Sequence, residues 1–359
     1  MNTDRRVILG IETSCDETGC ALVADGRQVL SNVVATQIDL HARFGGVVPE
    51  IASRAHIEAV NTVIAQALQA AGVHPSEIAA VAVTHEPGLI GSLLVGLMAA
   101  KTLAWVWRVP LIGVNHVYAH AYSPALESEP IEYPAAALVC SGGHTALYHC
   151  RSPIDLELLG TTIDDAAGEA FDKVASILKL GYPGGPVIDR VAKDGNAQAV
   201  NFPRSLLSGQ SLDFSFSGIK TAVLYHVNGV PGADRRGRKG SPQRAPQTPR
   251  GIGNFTPRQV ADIAASFQAA VVDVLRIKLR RAAKATGAGT LIIGGGVSAN
   301  SALRAAAAEL ARRLRCTLRL PEVRFCVDNG AMVAGLAWHY FKAGRVANLD
   351  LEAHATVRR

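Results

Sequence analysis

The sequence predicts an α/β protein whose two related lobes face each other across a ligand cleft. Strand-like and helix-like stretches alternate along the chain, which is typical of α/β architecture. The 359 residues are 48% hydrophobic, enough for a large core and for two domains of ordinary size. A module of strand, small polar turn and strand occurs twice, at 7–23 and 136–148, and helices follow each copy. We expect one lobe from residues 1–115 with 330–359 and another from residues 116–329.

The turns of the two modules are the predicted ligand contacts. The first turn, Thr13 to Thr18, is rich in hydroxyl and acidic residues, and the second is Ser141-Gly142-Gly143-His144-Thr145. Glycines expose backbone N–H groups that approach a phosphate without obstruction by side chains. Either hairpin alone is better explained as an ordinary tight turn. Their repetition favours a cleft with the ligand between the turns.

Further elements are predicted in order along the chain. Apolar periodicity and capping signals predict helices over 51–71, 91–106, 256–285 and 331–343. A strand over 290–293 enters the run Gly294-Gly295-Gly296, where a nucleotide can contact the backbone. Residues 213–220 have the composition of a polar edge strand.

The excess positive charge lies mainly in one segment. The net charge is +6, and residues 234–250 contain six cations against one acid. Four prolines and several glycines within 229–253 predict a solvated, disordered loop. Such a loop is either an inert insertion or a source of salt-dependent phosphate contacts with RNA, and both interpretations stay open.

Cysteine usage and hydropathy favour a cytoplasmic protein. The six cysteines show neither a paired metal-type spacing nor a short secreted framework, so we expect reduced thiols. The N-terminal apolar run Val7 to Ile11 is much shorter than a signal-peptide core. No stretch supplies about 18 uninterrupted apolar residues, so we expect no membrane span.

His116 and His120 form the first candidate metal site. They follow an apolar run and Asn115, a good helix N-cap. Residues at i and i+4 project from one helix face, so two imidazoles at this spacing can bind one ion. The positive end of the helix dipole should keep both rings neutral. The pair alone is as easily a chance feature of a surface helix.

Asp328 is the predicted third ligand. Two neutral imidazoles and one carboxylate hold a divalent ion while leaving positions open for substrate or water. Taken alone, Asp328 is better explained as the N-cap of the following helix. A peptidase would need His-Glu-x-x-His, whose Glu activates the metal-bound water. Val117, Tyr118 and Ala119 occupy that interval here, so proteolysis is disfavoured.

Residues 161–189 supply candidate ribose ligands. This segment carries four acids around a helix start, namely Asp164, Asp165, Glu169 and Asp172. A sharp backbone reversal at 181–186 follows and ends near Asp189. Carboxylates beside such glycines suit ribose hydroxyls, although helix capping explains Asp164 or Asp165 equally well.

Eight motifs occur in an order that matches one known family. They are Gly10-Ile-Glu-Thr-Ser-Cys-Asp-Glu-Thr18, Asn115-His-Val-Tyr-Ala-His120, Ser141-Gly-Gly-His-Thr145, Asp164-Asp-Ala-Ala-Gly-Glu-Ala-Phe-Asp-Lys173, Tyr182-Pro-Gly-Gly-Pro186, Asp213-Phe-Ser-Phe-Ser-Gly-Ile-Lys220, Gly295-Gly-Val-Ser-Ala-Asn300 and Asp328-Asn-Gly-Ala-Met332. On these motifs the chain closely resembles the bacterial TsaD family, the tRNA N6-adenosine threonylcarbamoyltransferases formerly labelled Gcp or O-sialoglycoprotein endopeptidases. The resemblance covers nearly the whole chain and implies the two-lobed actin, Hsp70 and sugar-kinase fold.

The resemblance implies a specific reaction. A threonylcarbamoyl group passes from threonylcarbamoyl-AMP to N6 of the adenosine 3′ to the anticodon, in tRNAs that read ANN codons, and AMP is released. The family's metal ligands, through which catalysis would run, fall on His116, His120 and Asp328. The family metal is described as Fe²⁺, and this donor set would also accept Zn²⁺. Contacts to the adenylate intermediate fall on Val139, Cys140, Ser141, Gly142, Gly143, Asp172, Gly185, Asp189 and Asn300.

The resemblance also implies partners. It suggests a cytoplasmic complex with TsaB and TsaE proteins, while a separate TsaC-type enzyme makes the intermediate. Helices 51–71 and 91–106 are the predicted TsaB-facing surface, and the loop 229–253 is longer and more basic than the family norm.

Three other functions compete with transfer. They are an ATPase or sugar kinase on the same fold, a metallopeptidase and a noncatalytic scaffold. The metal and adenylate motifs together favour transfer. The sequence alone does not identify a residue that would act as a general base.

Overall fold

The computed structural model describes residues 5–205, 207, 209–229 and 251–356. The basic loop predicted over 229–253 falls mainly on residues 230–250, which lie outside the described residues. Its predicted disorder therefore stays a prediction.

Two five-stranded mixed sheets form the framework of the protein. The strands are β1 Val7–Glu12, β2 Glu17–Ala24, β3 Gln28–Thr36, β4 Ile78–Glu86, β5 Leu111–Asn115, β6 Ala135–Cys140, β7 Thr145–Ser152, β8 Asp155–Thr161, β9 Thr290–Gly294 and β10 Thr317–Arg319. The first sheet has the order β3-β2-β1-β4-β5, and the second has the order β10-β9-β6-β7-β8.

The two sheets repeat one pairing scheme. In the first sheet, β1 pairs antiparallel with β2 and parallel with β4, in register from Ile8 opposite Val23 and Ala80. In the second sheet, β6 pairs antiparallel with β7 and parallel with β9 in the same way. The duplicated module predicted from sequence is therefore confirmed, because both copies occupy equivalent positions in sheets of the same strand order.

Ten α-helices are present in the described part of the chain. They are α1 Ile38–Ala42, α2 Pro49–Ala71, α3 Ile90–Trp107, α4 His116–Tyr122, α5 Ala167–Ile177, α6 Gly184–Ala192, α7 Ser217–Asn228, α8 Pro257–Thr286, α9 Ser301–Leu314 and α10 Gly330–Lys342. The helices α2, α3, α8 and α10 begin and end within two residues of the predicted bounds. Thr256 and Gln259 form a capping box at the start of α8, with Pro257 in its first turn.

The predicted edge strand over 213–220 is wrong. Phe214 makes only an isolated parallel bridge to Thr162, and α7 begins at Ser217. The Asp164 carboxylate accepts hydrogen bonds from the backbone N–H of Phe216 at 2.9 Å and of Ser217 at 3.4 Å. An acidic side chain from another segment thus satisfies free N–H groups at this helix start, which the local sequence cannot reveal.

Two helices lie between the sheets and carry the segments that build the site. Side chains of α4 and α10 share one buried cluster with residues of both sheets, including Ile8, Ala137 and Ile292. Gly10 and Gly330 permit this packing, since a Cβ on Gly10 would lie 2.4 Å from the Gly330 carbonyl oxygen and 2.6 Å from the Ala334 nitrogen. The helix α10 therefore lies almost backbone to backbone on β1.

The chain after α10 returns along the free edge of β5. Ala347 forms an antiparallel bridge with Leu111, and its N–H donates to the Leu111 carbonyl at 2.8 Å. Farther along, the His354 N–H donates to the His85 carbonyl at 2.8 Å. The segment after α10 therefore runs from the outer strand β5 to the end of the neighbouring strand β4.

The helix α3 is long and apolar enough, by length and composition, to cross a membrane. A third of its 18-residue window is buried inside the protein, against α2 and β4. Leu94, Met98 and Trp105 are exposed on it, and Trp105 is 70% exposed. Within the described residues it is the one helix that meets this criterion.

Replacing Gly10 with Ala should destabilise the fold. The added methyl group would overlap the backbone of α10, so we expect a loss of about 1–3 kcal/mol in the free energy of unfolding. Urea unfolding followed by circular dichroism measures it. The matched control is Gly289→Ala, where an added Cβ meets no atom within 4 Å. Equal stabilities for the two variants would contradict this account.

Candidate metal centre

The metal-type residues lie where β5 passes into α4. Asn115 ends the strand and caps the helix, because its side-chain oxygen accepts hydrogen bonds from the N–H groups of Val117 at 3.0 Å and Tyr118 at 3.1 Å. The predicted N-cap is therefore confirmed. His116 and His120 occupy successive turns of one face and are both buried, with ring centroids 4.6 Å apart.

Asp328 joins the two histidines from the segment before α10. One ligand atom from each of the three residues can be chosen so that all lie within 4.8 Å of one another. The Asp328 Oδ1 atom is 3.0 Å from His120 Nε2 and 3.7 Å from His116 Nε2. Two imidazoles and a carboxylate at these separations fit a divalent transition-metal ion. The structure thus contains a possible metal-binding site on the predicted residues.

Asp328 is not the cap of α10. Asn329 is the N-cap, and its side-chain oxygen accepts the Met332 N–H at 3.0 Å. The competing interpretation of Asp328 as a helix cap is wrong, because the neighbouring residue fills that role and leaves the Asp328 carboxylate facing the histidines.

Glu12 contacts His116 at Nδ1, the ring nitrogen that lies away from Asp328. It is the main site residue that was not predicted from the sequence. Its carboxylate is fully buried at the end of β1 and lies 3.0 Å from His116 Nδ1. The same carboxylate accepts hydrogen bonds from the Ser14 N–H at 2.6 Å and the Thr84 hydroxyl at 2.6 Å. The bond at Nδ1 leaves His116 Nε2 toward Asp328, the arrangement by which carboxylates orient metal-binding histidines. The signal for Glu12 in the sequence was a single acid at the end of an apolar strand.

The two histidines differ in their surroundings. Burial opposes protonation of His116, but the negative charges of Asp328 and Glu12 outweigh it and raise its pKa to about 9. Burial, opposed by the hydrogen bond to Asp328, lowers the pKa of His120. The prediction that the helix dipole keeps both rings neutral is therefore wrong for His116, because two nearby carboxylates outweigh a partial charge. His120 Nδ1 is buried and has no hydrogen-bond partner among the described residues.

His144 lies beside this cluster and was also missed as a site residue. It belongs to the turn between β6 and β7, and its ring centroid is 6.0 Å from that of His116. Burial lowers its pKa to about 4, and the positive charges of His116 and His120 act in the same direction. The second turn of the duplicated module thereby lies beside the metal-type residues.

The glycines of that second turn are open, as predicted. An added Cβ on Gly142 or Gly143 would meet no atom within 4 Å. The Ser141 and Gly142 carbonyls accept N–H groups from the start of α5, at 3.2 and 3.1 Å, which fixes the turn. Val139 and Cys140 are fully buried in β6.

Asp172 and Gly185 lie at the junction of α5 and α6. The Asp172 carboxylate accepts the Gly184 N–H at 2.7 Å, and an added Cβ on Gly185 would meet open space. Burial raises the pKa of Asp172 to about 6, against the hydrogen bond from Gly184 and with the help of the negative charge of Asp16. This carboxylate therefore titrates close to neutral pH.

The side chains of Asp189 and Asn300 both form hydrogen bonds at the start of α9. Asp189 accepts hydrogen bonds from the Ser301 hydroxyl at 2.8 Å and its N–H at 3.2 Å. Asn300 caps the helix through the Leu303 N–H at 2.9 Å and donates to Gln268 at 2.7 Å.

Asp164 and Asp165 hold loops together. Asp164 accepts hydrogen bonds at the start of α7, while Asp165 forms ion pairs with Lys173 at 2.9 Å and Lys220 at 2.8 Å. Asp164 therefore acts as a cap, but of α7, whereas Asp165 forms ion pairs and α5 has no side-chain cap.

Metal binding should release protons from this site. At pH 7.5 the free His116 imidazole is protonated because its pKa is about 9, and it must lose that proton to coordinate. We expect Zn²⁺ binding to release about one proton per ion, measured by calorimetry in buffers of different ionisation enthalpy. Glu12→Gln removes one of the charges that raise this pKa and should release less. The surface variant Glu309→Gln should match the wild type, and wild-type binding without proton release would refute the charge assignment.

The family of the chain follows from comparison with known proteins. The model of the TsaD family, described as tRNA N6-adenosine threonylcarbamoyltransferase, matches residues 28–335. A protein of that name from Trichlorobacter lovleyi is 49% identical over 350 residues, covering 98% of this chain and 96% of its own length. Another from Clostridium beijerinckii is 44% identical over 355 residues, covering 99% and 98%.

Solved structures of lower identity share the fold. Full-length HypF aligns with a TM-score of 0.57 at 13% identity, covering 95% of this chain and 47% of HypF. Component A of the Acidaminococcus fermentans (R)-2-hydroxyglutaryl-CoA dehydratase aligns with a TM-score of 0.51 at 15% identity, covering 94% and 99%. The expected two-lobed fold of the actin, Hsp70 and sugar-kinase type is confirmed. At 44–49% identity over nearly its full length, the chain belongs to the transferase family of the tRNA N6-adenosine threonylcarbamoyltransferases.

Proposed function

We propose that this chain transfers a threonylcarbamoyl group from threonylcarbamoyl-AMP to N6 of the adenosine 3′ to the anticodon, in tRNAs that read ANN codons. The adenosine nitrogen would bond to the carbamoyl carbon, the bond from that carbon to the phosphate oxygen would break, and AMP would leave while the nitrogen loses a proton. The observation that carries this proposal is the contact of His116 with both Glu12 and the glycine turn around His144. It brings a metal-type donor set and a phosphate-type turn to one cleft.

The adenylate would lie between the turns of the two modules. Gly142 and Gly143 would offer backbone N–H groups to its phosphate and Ser141 its hydroxyl, next to the buried β6 residues Val139 and Cys140. Asp172 and Gly185 would contact the ribose, and Asp189 with Asn300 would complete the pocket at the start of α9. Support comes from the open space around these glycines and from the half-buried Asp172 carboxylate.

His116, His120 and Asp328 would hold one divalent ion, Fe²⁺ by family resemblance, and the same donors accept Zn²⁺. Such an ion supplies polarisation of the carbamoyl carbonyl or the adjacent phosphate. Glu12 would hold His116 in the orientation that binds, and the buried cluster would keep water away from the reactive mixed anhydride. A peptidase remains disfavoured, since the residues between the two histidines include no acid.

The partners would be TsaB and TsaE proteins, with the adenylate supplied by a TsaC-type enzyme, in the cytoplasm. For TsaB we propose the groove between α2 and α3. This groove has a volume of about 620 Å³ and is lined by Ile57, Leu94 and Met98, which are 46–63% exposed. An apolar surface of this kind is typical of a protein interface. We also propose the lobe division 1–115 with 330–359 against 116–329.

The replacement His116→Ala should abolish transfer. The variant would lose one metal donor and the partner of Glu12, yet the helix would keep its cap on Asn115. The assay combines the chain, TsaB, TsaE, threonylcarbamoyl-AMP and unmodified tRNA, and detects the modified nucleoside by mass spectrometry. Thermal unfolding checks that the variant is folded. An active, metal-free His116→Ala protein, or a wild type without product beside active partners, would overturn the proposal.

Adenosine binding should weaken as the pH falls through about 6. The Asp172 carboxylate has a pKa of about 6 and would accept ribose hydroxyls only when deprotonated. We expect about tenfold weaker binding at pH 5 than at pH 7.5, measured by calorimetry. Adenosine is the probe because it lacks a phosphate that titrates in this range. Asp172→Asn should bind weakly at both values, and an unchanged pH dependence in that variant would rule out the assignment.

A further inference from the structure

The turn after α1 presents an exposed aromatic side chain beside an exposed cation. Phe44 is 58% exposed and Leu40 is 38% exposed, and Arg43 between them is also exposed. Across the described ranges, no acid lies within ion-pairing distance of Arg43. None of these side chains has a part in the metal centre or in the proposed adenylate pocket.

This turn is bonded to the wall of the cleft. The Gln37 N–H, just before α1, donates to the Asp16 carbonyl at 3.0 Å, and His56 Nε2 donates to the Cys15 carbonyl at 3.0 Å. The neighbouring Ser14 hydroxyl lies 3.1 Å from His116 Nδ1. Since α1 is one and a half turns long, the exposed turn lies roughly 10 Å from the Gln37 contact.

Hydrogen bonds around His41 fix the conformation of the turn. His41 is fully buried, accepts the Val48 N–H through Nδ1 at 3.4 Å and donates through Nε2 to the Gln37 side chain at 3.1 Å. The Phe44 N–H donates to the His41 carbonyl at 2.9 Å. Gly45 has a φ of +70° and open space around it, so the backbone reverses directly after Phe44 without covering its ring. Buried contacts therefore hold the exposed side chains in place.

We propose that Arg43 and Phe44 form a stacking platform for an unpaired base of the tRNA anticodon loop. The inference rests on the proposed function, because the target adenosine of that reaction lies in a single-stranded loop. Loop bases are recognised by stacking on aromatic rings and on guanidinium planes, and a cation beside the ring also attracts the RNA backbone. A protein partner fits less well, since two apolar side chains offer far less than the roughly 800 Å² that each partner buries in a stable interface.

The test varies tRNA in the complete reaction with TsaB, TsaE and saturating threonylcarbamoyl-AMP. Phe44→Ala should raise KM for tRNA about tenfold, because loss of one stacked base typically costs this much or more. The kcat at saturating tRNA should stay within about twofold. Phe44→Trp should restore KM, and Arg43→Gln should weaken tRNA binding mainly at low salt. Tyr225→Ala removes an exposed aromatic side chain from α7, outside the proposed TsaB surface, and should leave KM for tRNA unchanged.

Three results would overturn the platform. They are an unchanged KM for tRNA in Phe44→Ala, a Phe44→Trp variant as defective as Phe44→Ala, and loss of TsaB from the complex in Phe44→Ala. Binding of labelled, unmodified tRNA to the complex, followed by fluorescence anisotropy, separates this inference from the proposed reaction. A wild type that forms no modified nucleoside but loses tRNA affinity on Phe44→Ala would defeat the reaction and keep the platform.

Discussion

The buried carboxylate of Glu12 is the constraint on which the site depends. A charge at the end of β1 is costly unless it is hydrogen-bonded, and its partners come from three separate places: the turn at Ser14, the strand β4 through Thr84, and the helix α4 through His116. Satisfying this one group therefore fixes the first turn, the sheet and the metal-type helix relative to one another. The negative charges of Asp328 and Glu12 also raise the pKa of His116, so a cation that binds this site would displace a proton from the imidazole.

The turns of the two sheets carry different chemical groups. Both modules place a turn at the cleft, yet the first turn carries acids and hydroxyls while the second carries glycines with open backbone. The first lobe thereby supplies charge and orientation, and the second supplies space and N–H groups. Two helices packed between the sheets, α4 and α10, bring the histidines and Asp328 to the boundary where these two kinds of surface meet. One pairing scheme thus serves two roles, because the turns of the two modules differ in composition.

Much of the fold was predictable because it depends on local periodicity. The strand and turn modules, the long helices and the His116 and His120 pair follow from spacing and residue type, whereas Asp328 was predicted only as the best-placed acid for a third ligand. What was missed depends on contacts distant in sequence. The role of Glu12 depends on its contacts with Thr84 and His116, far away in sequence. The edge strand predicted over 213–220 is instead a helix from Ser217, whose start is capped by Asp164 from another segment. The protonation of His116 likewise follows from carboxylates 104 and 212 positions away in the chain, beyond any helix-dipole argument. The adenylate contacts at Asp189 and Asn300 stay predictions, with side chains that already serve α9.

The segment after α10 has a consequence for the outer edges of the two sheets. An outer strand with free N–H and carbonyl groups is a template for pairing with another chain, and natural sheets cover or shorten such edges. Here Ala347 pairs with Leu111 on the outer strand β5, and the backbone of His354 continues onto His85 at the end of β4. The outer strand β10 of the second sheet is only three residues long. One edge of each sheet is therefore shielded from strand pairing, the first by the chain after α10 and the second by its short length, while β3 and β8 form the opposite edges.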